Sequence, residues 1–397
     1  MLCLAIDIAK GKSVVGLFDE TLKAVIPLHE IAHEQLALET LVSRLDPSNV
    51  EVILESTSMY HYPVVSFFEK RNFNVIILNP IISKEHKRNL RKTKTDRTDC
   101  ENIASIYFEK KYNIQRRHLP IYLQMQSISR HLFTLNESLV RYKNRYHQLL
   151  ELIFPAYEYQ IKGHEKFKLE RLALLRDYPH PELLFKTRVD KLASILSGGR
   201  KTIDKRCLKT AQKIKDLAHL ALSTVSADDV IVDEFAELGS LIIDLQLKIK
   251  SHQQHLIDLA SSLKLYHHIV SIPGIGVFMA ALLVAELKDV SLYKTVKQLI
   301  AACGLDPTII QSGKSVDYRG HISKRGNKHA RKALFNAVIN IIRTTSRLNP
   351  KDDLLLYYRK KRSENKHHYA SVIACSTKLL RIIFTLCKND LYYLAKS

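Results

Sequence analysis

The stretch "LCLAIDIAKGKSVVGLFDETLKAVIPLHEI", residues 2–31, decides the fold of the first part of the chain. Its short β-rich runs are separated by Gly-Lys and by Asp-Glu-Thr, a pattern that predicts three antiparallel strands. Downstream, "HEQLALETLVSRL" and "YPVVSFFEKRN" are typical of helices, whereas "VEVILES" and "NVIILNP" are typical of strands. This β-β-β-α-β-α-β order predicts a mixed sheet with helices on its faces.

Acidic side chains occur in two of these predicted strands. Leu4 and Ile6 alternate onto one face of the first strand, which places Asp7 on the opposite face. Glu55 falls near the end of "VEVILES" in the same predicted sheet. An ionised carboxylate in a central strand is costly unless something compensates its charge. We therefore treat Asp7 and Glu55 as candidate functional residues.

A second acidic pair lies in the basic stretch "RKTKTDRTD", residues 91–99. If this segment begins a helix, Asp96 and Asp99 share one face as an i, i+3 pair. They can also be a helix cap and a salt-bridge partner of Arg97 or Lys92, which is the structural alternative. Four converging carboxylates would repel one another unless divalent cations neutralise them, and oxygen-only ligands favour Mg²⁺ or Mn²⁺. Two such ions about 4 Å apart can act on a phosphodiester.

The central region carries two heptad patterns of equal length, each about 28 residue steps or about 42 Å long as a helix. We expect the two helices to pair with each other or with a second subunit. His252 is the polar position in the second pattern and is expected to set its register or to bond a partner rather than to bind a metal. The two seams comprise Met125, Ile128, Leu132, Leu135, Leu139, Tyr142, Tyr146, Leu149 and Ile153, and Phe235, Leu238, Ile242, Leu245, Ile249, His252, Leu256, Leu259 and Leu263.

The last third of the chain contains two candidate nucleic-acid contacts. Gly274 and Gly276 lie in a Pro-Gly-Ile-Gly hairpin before an apolar helix, which can present backbone N–H groups to a phosphate or be an ordinary turn. A later run, "IIQSGKSVDYRGHISKRGNKHARK", is either a solvated face or a nucleic-acid contact. The basic candidates in this run and in residues 91–99 are Lys92, Lys94, Arg97, Lys314, Arg319, Lys324, Arg325, Lys328 and Arg331.

The composition favours a polyanionic partner and an intracellular setting. Lys and Arg outnumber Asp and Glu by 61 to 40, a formal net charge of +21, so nucleic acid is the leading candidate partner. The alternative is a basic protein without such a partner. The six cysteines lack zinc-site spacing, and we expect a reducing cytoplasm. No signal peptide or membrane-spanning run is expected, which predicts no membrane association.

Several motifs resemble the DEDD transposases of bacterial insertion sequences, the group that includes the Piv and MooV DNA invertases. The motifs are "AIDIAK", "ESTSMYHYP", "VIILNP" and "KTDRTD" in the first part, and "SIPGIGVFMAALLVAEL", "LIAACGLDPTIIQSGKSVDYRGHISKRGNKHARKALFNAV" and "ASVIACSTKLLRIIFTL" in the last. The resemblance covers both ends of the chain, whereas residues 155–230 match only in being helical.

The resemblance implies an α/β plus α protein with three domains. Residues 1–118 would form a RuvC-like RNase H domain with a DEDD metal site, and residues 119–265 a helical coiled-coil region. Residues 266–397 would form the C-terminal transposase domain with a helix-hairpin-helix-like motif. The metal tetrad would be Asp7, Glu55, Asp96 and Asp99, holding Mg²⁺ or Mn²⁺.

The resemblance also implies the chemistry and the partners. Ser312, which precedes a glycine, would attack DNA and form a covalent phosphoserine, with Ser315 as the second candidate. Relatives often have two serines before that glycine, whereas this chain has Gln311 and Ser312. The implied partners are double-stranded DNA, an element-encoded structured guide RNA, and further copies of the chain in a dimer or tetramer.

Two other functions fit the same residues. A plain metal-dependent nuclease, such as a junction resolvase, would use the carboxylates and water alone. A non-catalytic nucleic-acid-binding scaffold would use the helices and the basic surface, and its four acids would be idle. A recombinase should leave a protein–DNA adduct, a nuclease free DNA ends, and a scaffold intact DNA.

Overall fold

The computed structural model describes residues 1–56, 59–78, 96–110, 119–200, 202–312 and 316–394. For residues 96, 97, 163, 309–312 and 316–320, it describes the backbone but not the side chains. The chain divides into two compact units, Met1–Arg117 and His118–Ser397, and each is described by itself.

The first unit is built on a five-stranded mixed sheet with the strand order β3-β2-β1-β4-β5. The first three strands are antiparallel neighbours, whereas β4 runs parallel to β1, and β5 runs parallel to β4. The predicted order of elements along the chain and the mixed sheet are confirmed. The elements are β1 (Leu2–Ile8), β2 (Lys12–Phe18), β3 (Ala24–Ala32), α1 (Gln35–Val42), β4 (Val50–Glu55), α2 (His61–Glu69), β5 (Asn74–Leu78) and α3 (Asp96–Phe108).

The two faces of the sheet have separate apolar cores, as the alternation in β1 predicts. Leu4 and Ile6 belong to the core that includes residues of α1 and α2. Cys3 and Ala5 belong to the core that includes residues of α3. Because side chains alternate along a strand, Asp7 lies on the α3 face, two residues beyond Ala5.

The second unit contains two long helices that pair within the chain, α4 (Pro120–Ile153) and α11 (Val230–Ser261). Tyr146 and Phe235 stack with ring centroids 4.4 Å apart, and His131 and His252 meet edge to face at 5.0 Å. Positions further along α4 therefore meet earlier positions on α11, which makes the pair antiparallel. Of the two pairings expected from the seams, the structure contains the intramolecular one.

The helices between α4 and α11 form a core of their own. Tyr157, Leu172, Leu192 and Ile214 come from four of these helices and are fully buried, together with Phe235 of α11. These helices therefore cover one end of the antiparallel pair α4–α11, which we call the long hairpin. The helices are α5 (Pro155–Gln160), α6 (Gly163–Lys166), α7 (Leu169–Asp177), α8 (Pro181–Lys186), α9 (Val189–Leu196) and α10 (Lys205–His219).

The rest of the second unit packs around the other end of the hairpin. Met125 and Leu256 of the hairpin share one core with the C-terminal helices. Two strands form a small antiparallel sheet in this region. The elements are α12 (Lys264–Val270), α13 (Val277–Leu287), a 3₁₀ turn (Val290–Leu292), α14 (Val296–Ala302), β6 (Pro307–Ser312), β7 (Val316–Ile322), α15 (Lys328–Leu348), α16 (Asp353–Ser363) and α17 (His368–Asn389).

The expectation that no segment approaches membrane-spanning length is wrong on length and composition. The 22-residue helix α17 is long and apolar enough to cross a membrane. One of its faces, including Val372, Cys375, Leu379 and Ile383, is fully buried in the core shared with the hairpin. Packing in this core therefore accounts for the apolar residues that the sequence expectation overlooked.

Candidate metal centre and nucleic-acid interface

Asp7 and Glu55 lie at the same level of two neighbouring strands. Ile6 of β1 pairs with Leu54 of the parallel strand β4, and the two acids are the next residues in each strand. Ile53 belongs to the core on the α3 face, so Glu55, two residues later, projects from that face as Asp7 does. Both acids are half-buried. Adjacent strands lie about 4.8 Å apart, so the register brings the two carboxylates together.

Helix α3 is fixed across this face by contacts along its length. The Cys100 thiol donates to the backbone oxygen of Ala5 at 3.2 Å, and the Tyr107 hydroxyl donates to Oε2 of Glu51 at 2.7 Å. Burial and the nearby Asp7 carboxylate raise the pKa of the Cys100 thiol to about 12. The start of α3 therefore lies beside the end of β1 that carries Asp7.

Asp99 is the residue before Cys100 and lies in the first turn of α3. Its side chain is only 8% exposed. The helix begins at Asp96, as the sequence predicts, so the two aspartates are one turn apart. The side chain of Asp96 lies outside the described residues, so the predicted tetrad can be followed for Asp7, Glu55 and Asp99 only.

The three described acids fit a divalent cation by the chemistry of their side chains. Asp7, Glu55 and Asp99 offer carboxylate oxygens, the ligands that Mg²⁺ and Mn²⁺ prefer, from one face and one end of the sheet. Among the side chains that the structure describes, no three His, Cys, Asp or Glu residues form a group able to hold a metal ion. The fourth carboxylate of the predicted tetrad, that of Asp96, lies outside the described side chains.

Ser312 is the last residue of β6, where it pairs with Val316 at the start of β7. The other end of this hairpin is held by hydrogen bonds: the Ser323 hydroxyl donates to Oδ1 of Asp306 at 2.6 Å, and Thr308 donates to the backbone oxygen of His321 at 2.8 Å. The Ser312 backbone thus lies at the end of the hairpin away from α15. Its side chain, and all of Ser315, lie outside the described residues.

The structure describes four of the predicted basic side chains. Lys324, Arg325 and Lys328 are exposed. Nη1 of Arg331 donates to the backbone oxygens of Cys303 at 2.9 Å and Gly326 at 3.1 Å, which gives this guanidinium a structural role in holding the loop before α15. Outside the described residues or side chains lie Lys92, Lys94, Arg97, Lys314 and Arg319.

The two glycines of the Pro-Gly-Ile-Gly turn have different surroundings. Gly274 has φ +85°, and a Cβ atom there would lie 2.6 Å from Cα of Ile341 in α15. Gly276 is exposed at the N-cap of α13, and a Cβ atom there would meet nothing within 4 Å. Close packing therefore explains Gly274, whereas the phosphate contact predicted for the turn has room only on the Gly276 side.

Substitution of the two glycines should separate these roles. We expect Gly274→Ala to lower the free energy of unfolding by roughly 2–4 kcal/mol, because alanine is strained at positive φ and its methyl group collides with the α15 backbone. Gly276→Ala should lower it by about 1 kcal/mol or less, the cost of alanine at an N-cap. Chemical denaturation of both variants measures the difference, and equal stabilities would contradict the packing role of Gly274.

Sequence reasoning missed a buried acid in the second unit. Glu286 is only 4% exposed at the end of α13, a helix read from sequence as simply apolar. The Ser129 hydroxyl of α4 donates to its Oε1 at 2.6 Å, and Nδ2 of Asn327 donates to its Oε2 at 2.7 Å. The one acid in this apolar helix was the signal that could have pointed to it. Its partners could not be found from sequence, because they lie 157 and 41 residues away along the chain.

Two models of known protein families match the chain. One is described as a transposase of the DEDD type in the IS110 group and matches residues 4–155. The other is described as a transposase of the IS116/IS110/IS902 family and matches residues 266–351. Together the two matches span more than half of the chain and include Asp7, Glu55, Asp96, Asp99 and Ser312.

A relative from Streptomyces coelicolor is also similar. It is an uncharacterized 43.6 kDa protein of the insertion element IS110, 21% identical over 253 residues. The aligned region covers 64% of this chain and 60% of the relative's length. The chain therefore spans less than two thirds of the relative that it matches.

Proposed function

Because the chain belongs to the IS110 family of transposases, we propose that it cleaves and rejoins DNA strands as an insertion-sequence transposase. The observation that carries this proposal is the common face of Asp7, Glu55 and Asp99. Carboxylates gathered at one end of a mixed sheet are what a metal-dependent phosphoryl-transfer site requires. The family membership is the reason to expect DNA as the substrate.

In this proposal the first unit has a RuvC-like RNase H fold and supplies the metal ligands. Asp7, Glu55, Asp96 and Asp99 would hold Mg²⁺ or Mn²⁺, which when bound stabilises charge on the attacking and leaving oxygens of a phosphodiester. The register of β1 and β4 holds Asp7 and Glu55 side by side. The Cys100 and Tyr107 hydrogen bonds hold α3, and with it Asp99, against the same face.

Ser312 is the proposed nucleophile. Its hydroxyl oxygen forms a bond to phosphorus while the bond from phosphorus to a deoxyribose oxygen breaks, and the hydroxyl proton passes to the departing strand. The product is a phosphoserine ester. Attack by the hydroxyl of another strand end then regenerates the serine, so strands are exchanged without an external energy source. The resemblance of "IIQSGKS" to the family motif supports this assignment.

The remaining predicted partners follow from the family resemblance. We propose that an element-encoded RNA pairs with donor and target DNA, which would leave the basic protein to recognise backbone and shape. We also propose that the chain acts in a dimer or tetramer, in which the coiled-coil region, residues 119–265, joins subunits around the DNA. Residues 266–397 would then bring Ser312 to the metal site of the same or another subunit.

Mixing two inactive variants tests the shared site. If the acids come from one protomer and the serine from another, Ser312→Ala protein mixed with Asp96→Ala protein should regain part of the covalent attachment to DNA, since one mixed site contains both intact parts. Light scattering should show that each variant assembles as the unaltered protein does. Failure of the mixture under these conditions would mean that each site is built within one chain.

The products formed on DNA carrying the element's ends test the proposed function as a whole. With Mg²⁺ and the element's RNA, a recombinase yields a protein–DNA adduct and rejoined strands. Free DNA ends without an adduct would favour the metal-dependent nuclease, for which the carboxylates suffice. Intact DNA under all metal and RNA conditions would favour the binding scaffold.

A further inference from the structure

The buried Glu286 joins three helices of the second unit at one point. Its carboxyl accepts hydrogen bonds from Ser129 of α4 and from Asn327, and its backbone oxygen accepts a second bond from Nδ2 of Asn327 at 3.1 Å. The Asn327 side chain also caps α15 by accepting from the backbone N–H groups of His329 and Ala330. The first third of α4, the end of α13 and the start of α15 are therefore pinned together.

Cationic side chains flank each of the three pinned positions. Arg130 follows Ser129, Lys288 lies two residues after Glu286, and Lys328 follows Asn327. Lys332 lies one turn further along α15. Arg130, Lys328 and Lys332 are exposed, and Lys288 is half-buried. The three pinned elements therefore bring four cations to one patch, the Glu286 basic cluster.

Ring contacts hold the α15 side of this cluster against α4. The rings of Phe133 and His329 lie 4.8 Å apart at a shallow angle of 34°, and Nζ of Lys332 lies 5.0 Å from the centre of the Phe133 ring. Phe133 is one turn beyond Arg130 on α4, so these contacts bring Lys332 to the part of α4 that carries Arg130. Packing against the Phe133 ring therefore positions Lys332.

The like charges of the cluster act on one another. Burial, followed by the nearby Arg130 charge, lowers the pKa of Lys288, against the opposite effect of Glu286. Burial also lowers the pKa of His329, and Arg130, Lys328 and Lys332 lower it further, again against Glu286. Across the part of the chain that the structure describes, the ion pairs involve none of the four cations. Bound negative charge would relieve this repulsion.

The backbone of Lys288 has an unusual conformation, which is a second observation at this cluster. Its φ is +59° at the C-cap of α13, a conformation that a residue with a side chain rarely adopts. A lysine at a helix C-terminus is favourable to the helix dipole, but this explains neither the positive φ nor the convergence of three further cations. Strained residues of this kind cluster at sites that bind ligands.

We propose that Arg130, Lys288, Lys328 and Lys332 form a binding site for the phosphodiester backbone of a nucleic acid, with Glu286 as the positioning residue that fixes the three helices. This inference rests on the proposed function, because it assigns part of the nucleic acid to a surface of the second unit. The site uses Lys328 and Lys332 from the basic run and adds Arg130 and Lys288, which no sequence motif singled out.

The salt dependence of nucleic-acid binding tests this site. The triple variant Arg130→Gln, Lys288→Gln, Lys332→Gln should bind a 30-base-pair DNA duplex or the element's RNA about tenfold or more weakly by fluorescence anisotropy. For duplex DNA, the slope of log K against log salt should become shallower by about 2–3, since each lost phosphate contact removes ~0.9. Loss with DNA alone, RNA alone or both identifies the source of the bound phosphates.

A matched control removes three positive charges that already have acidic partners. Lys168, Lys186 and Lys264 are exposed and form ion pairs with Glu165, Glu182 and Asp390. Their triple replacement by Gln should leave the salt slope within about 1 of the unaltered protein. If the cluster variant is misfolded by circular dichroism, the single change of the exposed Lys328→Gln should still make the slope shallower by about 1.

The outcomes separate this inference from the proposed function. Suppose that the unaltered protein binds nucleic acid and that its salt slope is the same as that of the cluster variant, or of Lys328→Gln if that variant is used instead. The basic cluster is then not a phosphate site, and the proposed function stands. If the cluster and control triples lose binding equally, total charge rather than this site determines affinity, which also overturns the inference. If the unaltered protein binds neither DNA nor RNA, the proposed function itself fails.

Discussion

Asp99→Asn is expected to abolish Mg²⁺-dependent DNA cleavage while the protein stays folded. The change keeps the size of a side chain that is only 8% exposed but removes the negative charge proposed to hold a cation. Losing a main source of electrostatic stabilisation should lower the cleavage rate by about 10³-fold or more. Single-turnover cleavage of labelled DNA, with the melting temperature of the same sample, measures both quantities.

Glu101→Gln is the matched control for this experiment. Glu101 lies two residues further along α3 and is exposed. Its replacement by Gln removes one negative charge from the same helix, as Asp99→Asn does, but at a position in contact with solvent. Cleavage should be retained within a few-fold. Full cleavage by Asp99→Asn would contradict the metal-site assignment, and a loss of stability without a loss of cleavage would favour the salt-bridge interpretation of the aspartate pair.

Ser312→Ala should remove covalent attachment of DNA completely, because no hydroxyl is then available to form the phosphoserine. Binding of DNA should be unchanged within about twofold, since one neutral side chain is shortened at the end of β6. Denaturing gel electrophoresis of labelled DNA, with and without protease, measures attachment, and anisotropy measures binding.

Ser315→Ala is the control for the nucleophile, because Ser315 is the other serine of the same segment. It should form the adduct at a rate close to that of the unaltered protein. Adduct formation by Ser312→Ala but not by Ser315→Ala would move the nucleophile to Ser315. Adducts from both single variants would place the nucleophile elsewhere in the chain.

The first unit was largely predictable because its information is local. Alternation along β1 assigns Asp7 to the face opposite Leu4, and the i, i+3 spacing assigns Asp96 and Asp99 to one turn of α3. What the spacing could not supply was the register between β1 and β4, which sets Glu55 beside Asp7. Register depends on pairing between distant segments, so it appears only in the folded chain.

The second unit was less predictable because its decisive contacts are long-range. The seam pattern gave both long helices but left open whether they pair within the chain, and the stacking of Tyr146 on Phe235 answers this. Glu286 was missed in an apolar helix, since Ser129 and Asn327 approach it only after folding. Similarly, an apolar helix such as α17 gives no sign in sequence of which partners bury it.

The central claim, that an acidic metal site and a serine together exchange DNA strands, is tested most directly by mapping the protein–DNA linkage. The adduct formed with Mg²⁺ on DNA carrying the element's ends would be digested with nuclease and protease and analysed by mass spectrometry. The account predicts a nucleotide phosphate linked to the peptide containing Ser312, present in the unaltered protein and absent from Asp99→Asn. Cleaved DNA with no modified peptide, or a phosphate linked to a residue other than Ser312, would contradict it.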